Sequence, residues 1–449
     1  MNSRPLSIII VSWHFPPSSE VAGKAVWRLA RALTVRGVRV RVLTPPASEA
    51  VAVDAAYGAS IPAGMKVERV DAWRDPVRAA VEWKRRRRQG SAVSANSPLP
   101  DPKKPTDARP VAGGLARRMI GATRFPDHAN RWIVPASRRL RQLLRDEPTD
   151  LVISVSPLVS AHLAVRLGGV PRGATRWFAW VHDPLSDNPY FADRGWAAAI
   201  LGRIEAMIAR RASRVLVTTH ALGERLERRY AMPPPVVLPC SYAAEELPPR
   251  QPATVRAHGQ LVMAHVGTLY GHRSPVPILE SLARLRGDGR LDGDDIRIRF
   301  VGSFEVAGES LDVLIARLGL LGIVTAEPPV SQADALRVLS EADCGLLLAE
   351  GQPLQVPAKT FEYIGMRKPI FALADGATAE LVMRDGIGIA CGRDQLDEAL
   401  LALVAAWQST RFAEFTEALD VAAARYEAGQ VAQDVIYMLG GESGSTSVP

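Results

Sequence analysis

Polar side chains that can do chemistry stand directly after apolar, strand-like segments of this 449-residue chain. His182 and Asp183 follow the apolar run Trp177–Val181, and a histidine beside a carboxylate can orient or deprotonate a substrate hydroxyl. Open α/β sheets bind their ligands at the carboxyl ends of strands, which favours a site role for this pair. A lone histidine more often has a structural role, such as holding a backbone carbonyl, and that alternative stays open.

A second candidate group follows the first predicted strand, Ser7–Trp13. The next helix begins near Gly23 and Lys24. Backbone N–H groups at such a helix start can bind phosphate, with Gly23 permitting close approach and Lys24 adding positive charge. The spacing is neither a Walker A loop nor G-x-G-x-x-G, so an ordinary strand-to-helix turn is the alternative.

The elements that position these residues alternate between apolar strands and amphipathic helices. The predicted strands are Ser7–Trp13, Val38–Leu43, Leu151–Ser156, Trp177–Val181, Val215–Thr219, Val236–Leu238, Leu261–Val266, Ile296–Val301, Cys344–Ala349, Pro369–Ala374 and Gly388–Cys391. Apolar strands bracketed by helices are typical of buried parallel sheets, which indicates the α/β class. Because 449 residues exceed one ordinary core, we predict two Rossmann-like doubly wound domains that face each other across a cleft.

Composition breaks mark the predicted boundaries. Prolines interrupt the pattern in Glu245–Gly259, where we place the linker between a first domain, 1–247, and a second domain, 258–409. The remaining residues, 410–449, are helical by period up to about Met438, and we expect them to pack back on the first domain. A mobile insertion at about 84–112 begins with the basic run Lys84–Arg88 and continues rich in serine and proline.

Composition excludes several classes of protein. The three cysteines, Cys240, Cys344 and Cys391, are widely spaced, which argues against a disulfide framework or a zinc site. No stretch of about 18 apolar residues occurs, and the N-terminus does not resemble a signal peptide, so we expect a cytoplasmic protein. A formal net charge of +8 favours anionic partners, although an arginine-rich composition without functional meaning is an equal alternative.

Several segments in order resemble the family 4 retaining glycosyltransferases of the GT-B fold, from about Ser7 to about Leu403. In the first half they are "IIIVSWHFPPSSEVAGKAVWRLARALTVRGVRVRVLTPP", "FPDHANRW", "WVHDPLSDNPY" and "RRASRVLVTTHALGERLERRY". In the second half they are "HVGTLYGHRSPVPILESL", "EADCGLLL" and "VPAKTFEYIGMRKPIFALAD". The "PAKTFEY" segment resembles one subgroup of the family.

The resemblance implies a nucleotide-sugar donor site in the second domain. Glu362 corresponds to the family glutamate that holds the ribose diol, and Lys359 can contact the diphosphate as a point charge. Thr360 belongs to the same segment, Gly267 permits close approach to the phosphates, and Arg273 stands where the family has a basic phosphate contact. The alternatives are a glutamate that only complements a helix dipole and solvated loop charges. On the acceptor side, Asp127 and Trp132 can line the site, with a purely packing role as the alternative for Trp132.

Three positions depart from the family pattern. Leu354 stands where the family's Glu-x7-Glu motif has its first glutamate. Ala22 replaces the first glycine of the usual Gly-Gly, and Thr268 replaces an arginine often found after the Gly267 strand. These departures put the diphosphate contacts in question.

The function implied by the resemblance is metal-independent transfer of a hexose-type sugar from a nucleoside diphosphate to an acceptor hydroxyl, with retention and without a cofactor. The acceptor is expected to be a saccharide or a lipid-linked molecule, with no nucleic-acid partner. Lys84–Arg88 can bind an anionic membrane surface, which predicts a peripheral location at the inner face of a membrane. A sugar-nucleotide 2-epimerase and a non-catalytic membrane-associated scaffold of the same fold stay open as alternatives.

Overall fold

A computed structural model describes residues 4–50, 53, 61–73, 125–171, 173–186, 195–249, 259–269, 273–304 and 309–440. The predicted insertion at 84–112, with its basic run Lys84–Arg88, lies outside the described residues.

The first half of the chain forms a parallel sheet of seven strands in the order β3-β2-β1-β4-β5-β6-β7. The strands are β1 (Ser7–Val11), β2 (Arg39–Thr44), β3 (Met65–Arg69), β4 (Leu151–Val155), β5 (Arg176–Val181), β6 (Arg214–Val217) and β7 (Val236–Val237). The helices are α1 (Val21–Val35), α2 (Ile133–Asp146), α3 (Val159–Gly168), α4 (Gly195–Arg211) and α5 (His220–Tyr230). Strand order reverses between β1 and β4, and ligands bind at such reversals in open α/β sheets.

The second half repeats the plan with six parallel strands in the order β10-β9-β8-β11-β12-β13. The strands are β8 (Leu261–Val266), β9 (Ile296–Val301), β10 (Val324–Glu327), β11 (Cys344–Ala349), β12 (Ile370–Ala374) and β13 (Gly388–Cys391). The helices are α6 (Val276–Gly287), α7 (Leu311–Arg317), α8 (Gln332–Glu341), α9 (Lys359–Gly365), α10 (Gly376–Arg384), α11 (Leu396–Trp407), α12 (Arg411–Tyr426) and α13 (Ala428–Gly440). The prediction of two doubly wound α/β domains is confirmed.

Each sheet has helices on both faces because its strands are apolar on both. In β1, Ile8 and Ile10 belong to one core cluster, whereas Ile9 and Val11 belong to the cluster on the opposite face. Successive side chains of a strand point to opposite faces, so a continuous apolar run needs two covering layers. Two further clusters cover the faces of the second sheet in the same way.

Two chain segments cross between the domains side by side. The first follows β7, and we call residues 238–249 the connector; the second is the junction between α12 and α13. Within the connector, Tyr242 donates its backbone N–H to Tyr426 O at 3.2 Å and accepts from Ala428 N at 2.9 Å. Leu419 of α12 packs in a core cluster of the second domain, whereas Val431 of α13 packs against the first.

Candidate functional site

The loops after β8 and β11 meet where the second sheet reverses its strand order. Gly267 directly follows β8 with φ +126°, and a Cβ at that position would collide with Lys359 Nζ, the amine of the first residue of α9. Gly302, with φ +149°, lies directly against the carbonyl of Gly267, so a side chain there would also collide. These φ values and close contacts require glycine. The backbone after β8 is therefore open to close approach, with a lysine amine beside it.

The surroundings of Lys359 in this corner disfavour its positive charge. The pKa of Lys359 is lowered from its ordinary 10.5 to about 8, first by burial and then by repulsion from Arg273, with Glu362 opposing. Arg273 donates from Nη2 to Gln352 Oε1 at 2.9 Å. Two cations that repel each other in a partly buried place are suited to an anion with more than one charge, such as a diphosphate.

Other groups in the same corner are buried. His265 in β8 hydrogen-bonds Leu346 O through Nδ1 at 3.0 Å. Burial lowers its pKa to about 3, so the ring is neutral at pH 7. The Thr360 hydroxyl is fully buried and, within the described part of the chain, has no hydrogen-bond partner. Glu362 is 17% exposed, and its Oε1 lies 3.5 Å from Arg28 Nη2 of the first domain.

His182 and Asp183, the pair predicted in the first domain, lie on the opposite side of the cleft. His182 is 9% exposed and stacks edge-on against Trp180, with ring centroids 4.3 Å apart. Its backbone N–H donates to Ser156 Oγ at 2.7 Å, and Thr218 Oγ1 donates to its carbonyl at 3.0 Å. Three strand ends therefore fix the backbone of His182, while its Nε2 is buried without a partner among the described residues. Burial and repulsion from His14 lower its pKa to about 3, so the ring is neutral.

Asp183 joins the two domains directly. Its carboxylate accepts a hydrogen bond from Gln355 Nε2, in the loop that follows β11. Burial raises the pKa of Asp183, and the bond from Gln355 opposes that effect. In the same loop Leu354 accepts a hydrogen bond at its carbonyl from Thr219 Oγ1 at 2.8 Å, and its side chain packs against the first domain. Leu354, where the resemblance leads one to expect a glutamate, thus helps to hold the two domains together.

The loop after β1 lies on the first-domain side of the cleft. Gly23 packs against the backbone of that loop, with an added Cβ 3.3 Å from Ser18 O, and Lys24 Nζ donates across the cleft to Gln332 Oε1. His14 Nδ1 pairs with Glu20, and this contact lowers the pKa of the Glu20 carboxyl. A small pocket opens here, lined by Trp13, His14, Phe15, Ser18, Glu20, Pro45, Pro46, Ala47, Ala50 and Arg69.

Sequence reasoning missed this His14–Glu20 pair, although His14 follows β1 as His182 follows β5. Asp127 and Trp132 have structural roles. Asp127 accepts from Ser160 N and Ser160 Oγ near the start of α3, and Trp132 is fully buried and donates to Val70 O at 3.0 Å. For Trp132 the structure supports the packing alternative.

The described residues form neither a metal-binding cluster nor a membrane-spanning helix. No group of three or more His, Cys, Asp or Glu side chains is placed there to hold a metal ion. Among the helices that the structure describes, none is both long and apolar enough to cross a membrane. Cys240, Cys344 and Cys391 are free thiols.

Comparison with known proteins gives one family and many structures. The sequence profile of Glycosyltransferase Family 4 matches residues 87–245. No curated protein sequence gives a significant match. Sucrose-phosphate synthase from Thermosynechococcus elongatus is 14% identical with a TM-score of 0.59, and the match covers 96% of this chain and 98% of that one.

Two further structures cover nearly the whole length of both chains. Anabaena HepE in complex with UDP and glucose is 14% identical with a TM-score of 0.59, covering 97% of this chain and 99% of that one. WaaG, a glycosyltransferase involved in lipopolysaccharide biosynthesis, is 15% identical with a TM-score of 0.54, covering 97% and 100%. Together with the two parallel sheets, these similarities show that the chain has the GT-B fold.

Proposed function

We propose that this protein is a retaining glycosyltransferase that moves a hexose-type sugar from a nucleoside diphosphate to an acceptor hydroxyl. One observation carries the proposal: Lys359, Gly267 and Glu362 converge at the strand-order reversal of the second domain, opposite His182 and Asp183 of the first. The match of residues 87–245 to Glycosyltransferase Family 4 supports the same class of reaction. HepE is described as a complex with UDP, so uridine donors are the first to test here.

In the proposed reaction the bond between the anomeric carbon and the diphosphate oxygen breaks, and the electron pair stays on that oxygen. Lys359 and Arg273 stabilise the charge that develops there, an electrostatic role that needs no bound metal. The acceptor oxygen bonds to the anomeric carbon on the same face of the sugar, and its proton passes to the departing phosphate oxygen. His182, neutral because its pKa is about 3, orients the sugar through its free Nε2 and is too weakly basic to take that proton.

The test is a binding screen of purified protein with uridine, guanosine and adenosine diphosphate sugars. Replacing Glu362 by alanine is expected to weaken binding of the preferred donor at least tenfold, about 1.4 kcal/mol, because the ribose diol loses a charged acceptor. Glu398→Ala is the matched control, since Glu398 is 75% exposed and pairs with Arg290 on the surface of the same domain. Unchanged donor affinity in Glu362→Ala would contradict the ribose role.

Product analysis separates the proposal from its alternatives. With an acceptor present, the new glycosidic bond is expected to keep the donor's anomeric configuration, with turnover unaffected by a chelator. Conversion of the donor alone into its C2 epimer would replace the transferase by an epimerase. Failure to bind any nucleotide sugar would favour a non-catalytic scaffold.

We place the acceptor on the first-domain side of the cleft. We propose a saccharide or lipid-linked acceptor, used in the synthesis of a polysaccharide, glycolipid or glycoconjugate at the inner face of a membrane. His14, which lines the pocket with Glu20, lies near enough to His182 to lower the pKa of that ring, which suits an acceptor hydroxyl directed at the transferred sugar. The membrane contact through Lys84–Arg88 stays a prediction because that run lies outside the described residues.

A further inference from the structure

A buried arginine of the first domain, Arg28, contacts Glu362, the residue that the proposed function assigns to binding the ribose. Arg28 lies in the middle of α1, and its side chain is 4% exposed. Its Nε and Nη2 donate to Glu246 Oε2 at 2.9 and 2.6 Å, and its Nη1 donates to Ser241 O at 2.6 Å. The same Nη2 lies 3.5 Å from Glu362 Oε1. One guanidinium therefore joins α1, the connector and α9.

A guanidinium is expensive to bury unless charged partners and hydrogen bonds compensate it. Glu246 of the connector supplies the short, charged contact, so the arginine does not need Glu362 for its own neutralisation. Glu362 in turn receives its side-chain hydrogen bond from Arg28 at Oε1, and within the described residues its Oε2 is left to other donors. A carboxylate held at one oxygen can still accept from a diol at the other.

The connector and the end of α9 are packed together without space for a side chain between them. Gly365, the last residue of α9, lies so close to the connector that a Cβ there would be 2.5 Å from Leu247 and 2.6 Å from Tyr242. Arg28 donates hydrogen bonds to Ser241 O and Glu246 Oε2 and so fixes the connector, against which α9 is packed. The position of the Glu362 backbone and the orientation of its carboxylate thus depend on the same arginine.

We infer that Arg28 is a positioning residue of the donor site: it holds the Glu362 carboxylate in the orientation that accepts the ribose diol. The inference rests on the proposed function, since it assigns Glu362 to the ribose. It adds a residue of the first domain to a site otherwise built from the second. Donor recognition then requires the two domains to be in contact.

The chain offers a matched control one helical turn away. Arg31 of α1 pairs with Glu245 of the same connector, but its side chain is 34% exposed and, among the described residues, it forms no hydrogen bond or ion pair with Glu362. Arg31→Met therefore removes a bridge between the same two segments without touching the proposed ribose carboxylate. A role of Arg28 in simply joining the domains would be shared, in weaker form, by Arg31.

The experiment compares a ribose with a deoxyribose ligand. Affinities are measured by titration calorimetry for whichever of UDP, GDP and ADP binds best and for its 2′-deoxy counterpart. The wild-type protein and Arg31→Met are expected to prefer the ribose form at least tenfold, and Glu362→Ala is expected to lose that preference. Arg28→Met is expected to reduce the preference to threefold or less while binding the deoxy form as the wild type does.

The outcomes separate the inference from the proposed function. If the wild type binds no nucleoside diphosphate, or if Glu362→Ala keeps the preference, the ribose assignment falls and the inference falls with it. If Glu362→Ala loses the preference but Arg28→Met keeps it, the assignment stands and the inference is overturned. Should Arg28→Met not fold, Arg28→Lys gives the same readout, because a single ammonium keeps the pair with Glu246 but cannot span both carboxylates. Retention of the wild-type preference in Arg28→Lys would overturn the inference equally.

Discussion

Replacing Lys359 by methionine is expected to stabilise the unliganded protein while removing donor binding. The folded environment lowers the pKa of this amine from 10.5 to about 8, so it disfavours the protonated form. At about 1.4 kcal/mol for each pKa unit, the difference amounts to up to about 3 kcal/mol. This is an upper limit, because the side chain keeps some contact with solvent. Methionine matches the chain length without a charge to bury.

The pH dependence gives the sign of the effect. Below pH 8 both the folded and the unfolded wild type carry the proton, so the full destabilisation is present. Between pH 8 and 10.5 the unfolded chain binds more protons than the folded one, and the free energy of unfolding therefore rises with pH. The advantage of Lys359→Met should be largest at pH 7 and should shrink across that window. For a domain of this size, 3 kcal/mol moves the melting midpoint by at most about 10 °C.

The assay is thermal denaturation from pH 6.5 to 10, with and without the preferred donor. Lys66→Met, at an exposed position of β3, controls for loss of a surface lysine. Without donor, Lys359→Met should melt above the wild type at pH 7; with donor, only the wild type should gain stability. Parallel pH profiles for the wild type and Lys359→Met, with no gain at pH 7, would refute the reasoning.

Two further predictions concern other regions. Asp127→Ala is expected to lower the free energy of unfolding by about 1–3 kcal/mol, because Ser160 and Ala129 lose a charged acceptor, and to leave donor affinity unchanged. If Asp127→Ala instead melts like the wild type but transfers sugar more slowly, Asp127 belongs to the acceptor site. Replacing Lys84–Arg88 by serines is expected to reduce co-sedimentation with vesicles that contain anionic lipid, at roughly 1 kcal/mol for each charge near the surface. Equal sedimentation of both proteins would remove the membrane proposal.

Burial explains which strands could be predicted from the sequence. The central strands are apolar on both faces, so Leu151–Val155 and Cys344–Ala349 are recognisable as continuous runs, and both were predicted within one residue of their ends. The strands Met65–Arg69 and Val324–Glu327 were missed. Both lie at an edge of their sheet and are partly exposed, so their polar residues hide the pattern. The predicted first strand also ran two residues beyond its end at Val11.

Part of the candidate site could be predicted from the sequence, whereas another part depends on contacts between distant residues. The family resemblance predicted that Gly267, Lys359 and Glu362 belong to one donor site, and the structure brings these three residues together. Arg28 could not be placed from its neighbours, because its partners are more than 200 residues away. A weak signal existed: Lys24, Arg28 and Arg31 follow i, i+4, i+7 spacing and form a charged line along an otherwise apolar helix. That line faces the second domain.

Three titratable side chains of the cleft lie in surroundings that disfavour their charged forms. Burial lowers the pKa of Lys359 and of His182 and raises the pKa of Asp183, so it disfavours the charged form of each group. His182 Nε2 also has no partner among the described residues. A folded protein selected only for stability would replace such groups by apolar ones, as Lys359→Met does. A diphosphate can offset the cost by compensating the cations, and the transferred sugar can satisfy the imidazole nitrogen of His182. The cleft should therefore be where ligand binding raises stability most, and where stabilising substitutions most directly reduce activity.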